Sequence, residues 1–120
     1  MAYKLGNLCH IEIAGGDIAA TKECYGKLFG WTFSPMQEGY EFFDAGNAQG
    51  ALDAEAKPSH DGTVLVLACE DVEAKLVEIE GAGGKTLKTK TKISDDHGWY
   101  GYFEDPAGNR MGVWQPPQQS

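Results

Sequence analysis

The sequence predicts an α+β domain of two βαβββ modules that form a curved mixed sheet, with a concave groove on one face and the helices on the outer face. Two observations support this prediction. The order strand, helix, three strands occurs twice, and one shift of 54 residues superposes Asp17 on Asp71 and Gly30 on Gly84. Near the end, a turn-rich segment at 105–109 separates two runs of aromatic and branched residues, as in a hairpin.

The first module is predicted to span residues 7–54. Alternating apolar residues predict a strand over 8–13. Asp17 can then cap a helix over 18–29, where apolar residues recur at helical spacing, and Gly30 can end it. The remaining strands of this module are predicted at 31–33, 40–43 and 49–53.

A polar segment at 55–62, with a proline and a glycine, is predicted to link the two modules. The second module, 63–115, begins with an apolar strand over 63–69 and continues with a helix capped by Asp71. A long exposed strand at 85–93, a loop at 94–97, the hairpin at 98–115 and a Pro/Gln tail at 116–120 complete the chain.

Composition excludes several classes of partner. The chain has 120 residues, a net charge of −8 and a pI near 4.7, which fit one acidic domain and oppose binding to nucleic acid or to an anionic membrane surface. No apolar run is long enough to span a bilayer, and no export signal is recognised, so we expect a cytoplasmic protein. Cys9, Cys24 and Cys69 lack metal-type spacing and fit buried free thiols, with a reactive thiol as the alternative.

Alternation along the strands divides the side chains between the two faces of the sheet. In the first strand, Ile11 and Ile13 are predicted to pack under the helices, whereas His10 and Glu12 face the groove. The same alternation directs Met111 and Val113 to the core and places Val64, Val66, Gly112 and Trp114 on the groove face.

Two motifs resemble a known family. The segments 9–13 and 24–31, with Asp17 between them, are similar to the opening strand and helix of the vicinal oxygen chelate superfamily. The segment 98–115, with its Glu-Asp-Pro-x-Gly-Asn turn, resembles the closing hairpin of that superfamily, in the branch labelled "predicted enzyme related to lactoylglutathione lyase". The superfamily includes glyoxalase I, extradiol dioxygenases, fosfomycin-resistance enzymes and bleomycin-binding proteins, so the resemblance indicates a fold more strongly than a function.

The resemblance also raises the question of a metal site. Metal-dependent members hold a divalent ion with His, Glu or Gln side chains from the first and last strands of each module. His10 matches one such position, whereas Val64 and Gly112 stand at two others and Gly50 or Ala51 at the fourth. Since a catalytic ion needs about three protein ligands, the resemblance implies no metal cofactor here.

We therefore expect a homodimer that binds a small, partly aromatic molecule in the groove without a cofactor. The predicted ligand-binding residues are His10, Glu12, Gly50, Val64, Val66, Tyr100, Gly112 and Trp114. Three alternatives stay open: a lyase or isomerase using His10 and Glu12 as catalytic groups, a divalent-metal enzyme of the superfamily, and a module whose sheet edge binds another protein. His10 paired with Glu12 as a structural contact is the simplest alternative at the site.

Overall fold

A computed structural model describes Leu5 and residues 8–117, and these form two βαβββ modules in an α+β fold. The first module contains β1 (Ile11–Ala14), α1 (Ile18–Phe29), β2 (Thr32–Gln37), β3 (Tyr40–Asp44) and β4 (Gln49–Asp53). The second contains β5 (Val66–Ala68), α2 (Val72–Gly81), β6 (Lys85–Ser94), β7 (Gly98–Glu104) and β8 (Arg110–Gln115). The repeated order of elements is as predicted.

Each module forms its own four-stranded mixed sheet. The strand orders are β1-β4-β3-β2 and β5-β8-β7-β6, with the pairs β1–β4 and β5–β8 parallel and the others antiparallel. Among the residues described, no ladder joins the two sheets, so the predicted curved sheet consists of two halves. β1 is an edge strand of one half, and β5 is an edge strand of the other. Both edge strands are shorter than predicted, because only these residues of β1 and β5 pair with the adjacent β4 or β8.

Local sequence signals determine where the helices begin and end. The Asp17 carboxylate accepts a hydrogen bond from the Ala20 amide at 3.2 Å, and α1 ends at Gly30 in the left-handed region, with φ of 71°. Asp71 caps α2 in the same way, accepting from the Glu73 amide at 2.9 Å. Both helices therefore begin at the residue predicted from the sequence.

The core lies on the helix side of both sheets. Ile13 is 5% exposed, and Met111 and Val113 are 2% and 0% exposed, as the alternation predicts. Trp31 stacks between Tyr25 of α1 and Phe43 of β3, with ring centroids 4.4 and 4.6 Å away. These stacked rings hold α1 against the first sheet. The core residues with the largest fully buried side chains include Tyr25, Leu52, Val72, Ile79, Phe103 and Val113.

A buried polar cluster joins the two modules. Asp105, in the turn between β7 and β8, accepts hydrogen bonds from the Tyr25 hydroxyl and from the Asn109 side chain, both at 2.8 Å. Asn109 also donates to the carbonyl of Ala14 at 2.7 Å, at the end of β1. Asp105 is 2% exposed and Tyr25 is fully buried, so this cluster fixes the hairpin turn against the first module.

The cysteines differ from one another more than predicted. All three are free, but Cys9 is exposed, Cys24 is buried and Cys69 is half-buried, so the prediction of buried thiols is wrong for Cys9. Cys9 precedes β1 and borders two open cavities, which fits its exposure. In the described part of the chain, no helix is long and apolar enough to cross a membrane.

Candidate functional site

A hydrogen-bonded group of three side chains lies on the face of the first sheet that points away from the helices. The Tyr40 hydroxyl donates to Glu12 Oε2 at 2.7 Å and lies 3.1 Å from His10 Nε2, and His10 Nε2 is 3.9 Å from Glu12 Oε2. The small side chain of Ala51 stands between β1 and β3 in this region and leaves room for Tyr40 to reach Glu12. We call His10, Tyr40 and Glu12 the polar triad.

The arrangement of protons in the polar triad follows from the donors available. The single Tyr40 proton is directed to the Glu12 carboxylate, so the phenol oxygen accepts from His10 and the imidazole carries its proton on Nε2. The hydrogen bond to Glu12 raises the pKa of Tyr40, which favours the neutral phenol that donates this bond. His10 Nδ1 is then a hydrogen-bond acceptor, suited to binding a ligand hydroxyl or to taking a proton.

His10 also lines open cavities at the end of the first sheet. One, of about 470 Å³, includes His10, Ser34, Phe42 and Gln49. A second, of about 420 Å³, also borders His10 and includes the loop that carries Asn47. His10 is therefore accessible to a ligand, with 38% of its side chain exposed.

The second sheet has an aromatic face in the corresponding place. The strand register brings Val66, Gly112 and Tyr102 into one row and Trp114 and Tyr100 into the next. The Tyr100 and Tyr102 rings meet edge to face at 5.5 Å. The half-buried Trp114 donates its indole N–H to the carbonyl of His97 at 2.7 Å. The predicted residues of β7 and β8 thus lie on one face, and the loop that carries His97 is anchored to it.

Each predicted glycine is explained by its neighbours. A Cβ on Gly112 would approach the Val66 side chain to 3.2 Å and the Tyr102 ring to 3.3 Å, so these two residues occupy the space that the glycine leaves. Gly50 pairs with Ile11 and Phe43 on the helix side, and a Cβ there would collide with the Ile11 carbonyl. The prediction that Gly50 faces the groove is therefore corrected: Ala51 takes that position.

A third cavity, of about 460 Å³, is lined by residues of both modules where the two sheet edges approach each other. Ile11 of β1 lines one side of it, and residues from Leu65 to Ala68 line the other. The core side chains of Phe43 and Met111 also line it, so the cavity is mostly apolar. Val64 precedes β5 and is half-buried, whereas Val66 is 56% exposed and lines this cavity.

The repeated modules and the closing hairpin agree with a comparison against protein families. The model of the Glyoxalase/Bleomycin resistance protein/Dioxygenase superfamily matches residues 7–113. The chain belongs to this superfamily. The glyoxalase/bleomycin resistance model covers both modules, so the family membership concerns the whole fold. A comparison with curated proteins gave no match.

Solved structures of this superfamily share the fold at low sequence identity. A glyoxalase/bleomycin resistance protein/dioxygenase family enzyme from Burkholderia phytofirmans PsJN has a TM-score of 0.78 and 16% identity, covering 92% of this chain and 99% of that chain. A glyoxalase-related enzyme from Fulvimarina pelagi has a TM-score of 0.74 and 21% identity, covering 92% and 88%. The fosfomycin resistance protein FosX from Listeria monocytogenes, complexed with Mn(II), has a TM-score of 0.77 and 14% identity, covering 94% and 92%.

The residues present do not fit the divalent ion that metal-dependent members of the superfamily hold. The register places Glu12 beside Ala51 and Val66 beside Gly112, so the last strands offer no ligand at these positions. Val64 cannot ligate, which leaves His10 alone among these positions as a side chain that could bind a metal. Over the described residues, no three His, Cys, Asp or Glu side chains are grouped so as to hold an ion.

Two residues of these faces were missed by the sequence analysis. Tyr40 completes the polar triad. It is two residues before Phe42 and therefore on the same face of β3, but this indicates a place in the site only once β3 is known to lie beside β4. Arg110 shares the outward face of β8 with Gly112 and Trp114, which the alternation used for those two residues also indicates.

Proposed function

We propose that this protein binds a small, partly aromatic molecule on the outward faces of its two sheets, without the metal site of its relatives. The observation that carries the proposal is that these faces combine metal-ligand positions without ligating side chains with polar and aromatic side chains. The metal-ligand positions hold Val64, Ala51 and Gly112, whereas hydrogen-bonding and aromatic side chains remain around them. Such a surface suits recognition of a flat molecule with a few polar groups. The free cysteines fit a reducing cytoplasm.

The polar and aromatic parts of the surface have separate roles in this proposal. His10 Nδ1 and the Glu12 carboxylate accept hydrogen bonds from the polar part of the ligand. Trp114 and Tyr100 stack on its flat part, and Val66 supplies apolar contact.

The test uses thermal stabilisation by a library of aromatic metabolites, because a ligand that binds only the folded state raises the unfolding temperature. A hit should lose most of its affinity in His10→Ala and in Trp114→Ala. Because the His10 side chain is exposed, His10→Ala should lower the free energy of unfolding by only about 1 kcal/mol or less. Metal analysis of protein purified without chelators should show no stoichiometric zinc, nickel, manganese or iron. One metal per chain bound through His10 would overturn the metal-free proposal.

A second candidate is a lyase or isomerase that transfers a proton without a metal, and the polar triad favours it. Here His10 Nδ1 would take the proton while Glu12, through Tyr40, holds the imidazole in one tautomer. FosX is complexed with Mn(II), so a metal-dependent reaction is the third candidate, opposed by the ligand positions described above. Turnover of a library hit by the wild type, lost in His10→Ala, would favour the second candidate over a binding protein.

We further propose that the protein is a homodimer. The edge strands β1 and β5 leave one side of each ladder without a partner in the described chain, and the apolar cavity lies between them. A second copy would cover both features. Light scattering at micromolar concentration should give about twice the mass of the chain, and a monomer would contradict the proposal.

A further inference from the structure

Four side chains of the second sheet form a row in which two aromatic rings lie between two cations. The Arg110 guanidinium lies 5.1 Å from the centroid of the Tyr102 ring. The Lys88 ammonium lies 5.8 Å from the centroid of Tyr100, and the two tyrosine rings contact each other. Strand register places Tyr102 opposite both Gly112 and Lys88. We call Arg110, Tyr102, Tyr100 and Lys88 the arginine–tyrosine row.

Neither cation of this row is paired with a carboxylate among the described residues. Glu104 is opposite Arg110 in the β7–β8 ladder, but its carboxylate is 2.7 Å from His60 Nε2 and forms no ion pair with Arg110. The Arg110 Nε atom is buried and has no hydrogen-bond partner. A partly buried guanidinium without an anion is costly, and an anion at its outer nitrogens would offset that cost.

We infer that the arginine–tyrosine row binds the carboxylate of an aromatic ligand, so that the ligand of this protein is an organic anion. Arg110 presents a planar fork that matches a carboxylate, and a flat ring attached to that carboxylate can lie against Tyr102 and Tyr100. Lys88 adds a second positive charge at the other end of the row. This inference rests on the proposed function and adds to it the charge of the ligand.

The net charge of the chain makes this row unusual in its surroundings. A chain with 18 acidic and 10 basic residues repels organic anions at most of its surface. The outward face of the first sheet follows that trend, with Glu12 and Asp53 on it. The carboxylate of an anionic ligand would therefore be directed to the arginine–tyrosine row of the second sheet, and its uncharged polar groups would remain free to contact His10 and Glu12.

The experiment compares two probes of one shape, 2-naphthoate and its neutral amide 2-naphthamide, by calorimetry on the wild-type protein. Naphthoate should bind at least about tenfold more tightly, as expected for one charge-assisted contact. Arg110→Gln should reduce naphthoate affinity about 10- to 100-fold and leave naphthamide unchanged. Lys27→Gln is the matched control, because it removes one positive charge from an exposed position at the end of α1.

Each outcome has a defined meaning. Equal affinity for both probes in the wild type, or equal losses in Arg110→Gln and Lys27→Gln, would overturn the inference and leave the proposed function intact. Binding of neither probe at millimolar concentration would count against both. If Arg110→Gln loses its fold, Lys88→Gln should still weaken naphthoate severalfold. Amide shifts at Gly112 and Tyr102 in labelled protein, upon naphthoate addition, locate the site; shifts confined to the first sheet would contradict it.

A dimer contact is the competing explanation for an unpaired arginine. If Arg110 instead pairs with a carboxylate of a second copy, Arg110→Gln should dissociate the dimer and leave naphthoate affinity unchanged. Light scattering on the same variant separates these results, and dissociation with unchanged affinity would overturn the inference.

Discussion

The two modules have the same strand order but different outward faces. Tyr40 and Tyr100 occupy equivalent positions in the two modules. Tyr40 pairs with Asp53 of β4, and Tyr100 pairs with Trp114 of β8. In each module, this partner belongs to the strand that also pairs with the parallel strand. Around Tyr40 the face is acidic and polar, and around Tyr100 it is aromatic and cationic. On the helix side the modules agree: Phe43 and Phe103 are both buried. The fold therefore constrains the helix side, and the outward faces are free to differ in chemistry.

The largest expected effect tests this division directly. Phe43→Ala and Phe103→Ala should each lower the free energy of unfolding by about 3–5 kcal/mol, because both rings are almost fully buried. Phe42→Ala is the control on the outward face, where the ring is 40% exposed, and should cost about 1 kcal/mol or less. Denaturant unfolding measures all three. Equal losses at Phe42 and Phe43 would contradict the assignment of faces in the first module.

A smaller effect should come from the polar cluster that joins the modules. Tyr25→Phe removes the hydrogen bond to Asp105 and leaves a buried carboxylate with one donor fewer, so we expect a loss of about 1–3 kcal/mol. Because the cluster connects the first module to the hairpin of the second, unfolding should remain a single cooperative transition. Two separated transitions in Tyr25→Phe, seen by near- and far-ultraviolet dichroism, would show that this contact alone couples the modules.

The same region should make stability depend on pH in alkali. Burial, together with the charge of Asp105, raises the pKa of Cys24 from 9.0 to about 11, and burial likewise raises that of Tyr25. The folded protein thus keeps protons that the unfolded chain loses above about pH 9. The stability is fully present below pH 9 and declines as the pH rises toward 11. Unfolding at pH 8 and pH 10.5 measures the decline, and Cys24→Ala should reduce it; an identical decline in that variant would refute the assignment.

Sequence reasoning succeeded where the signals are local. The cap Asp17 and the terminating Gly30 are within one turn of the helix ends that they determine, and α1 has the predicted bounds. The turn at 105–109 likewise fixes the hairpin of β7 and β8. Alternation then assigned the faces of β8 correctly, with Met111 and Val113 buried. These features depend on residues that are neighbours in the sequence.

It failed where the answer depends on strand pairing. Whether Gly50 or Ala51 faces outward depends on the register of β4 against β1, which a shift of one residue reverses. Tyr40 was missed because its contact with Glu12 spans 28 residues and requires β4 to lie between β1 and β3.

The smallest expected change concerns the equivalent tyrosines, and it tests the polar triad. Tyr40→Phe removes the phenol that connects His10 to Glu12, whereas Tyr100→Phe removes a hydroxyl with no described hydrogen bond. Both variants should keep wild-type stability within about 1 kcal/mol, because both tyrosines are only half-buried. Nitrogen chemical shifts of the His10 ring should report an Nε2–H tautomer in the wild type and in Tyr100→Phe. In Tyr40→Phe the ring should become a mixture of tautomers, since the acceptor for Nε2–H is gone. An unchanged His10 tautomer in Tyr40→Phe would show that Glu12 alone orients the imidazole. The Tyr40 hydroxyl would then be as dispensable in the first module as the Tyr100 hydroxyl is in the second.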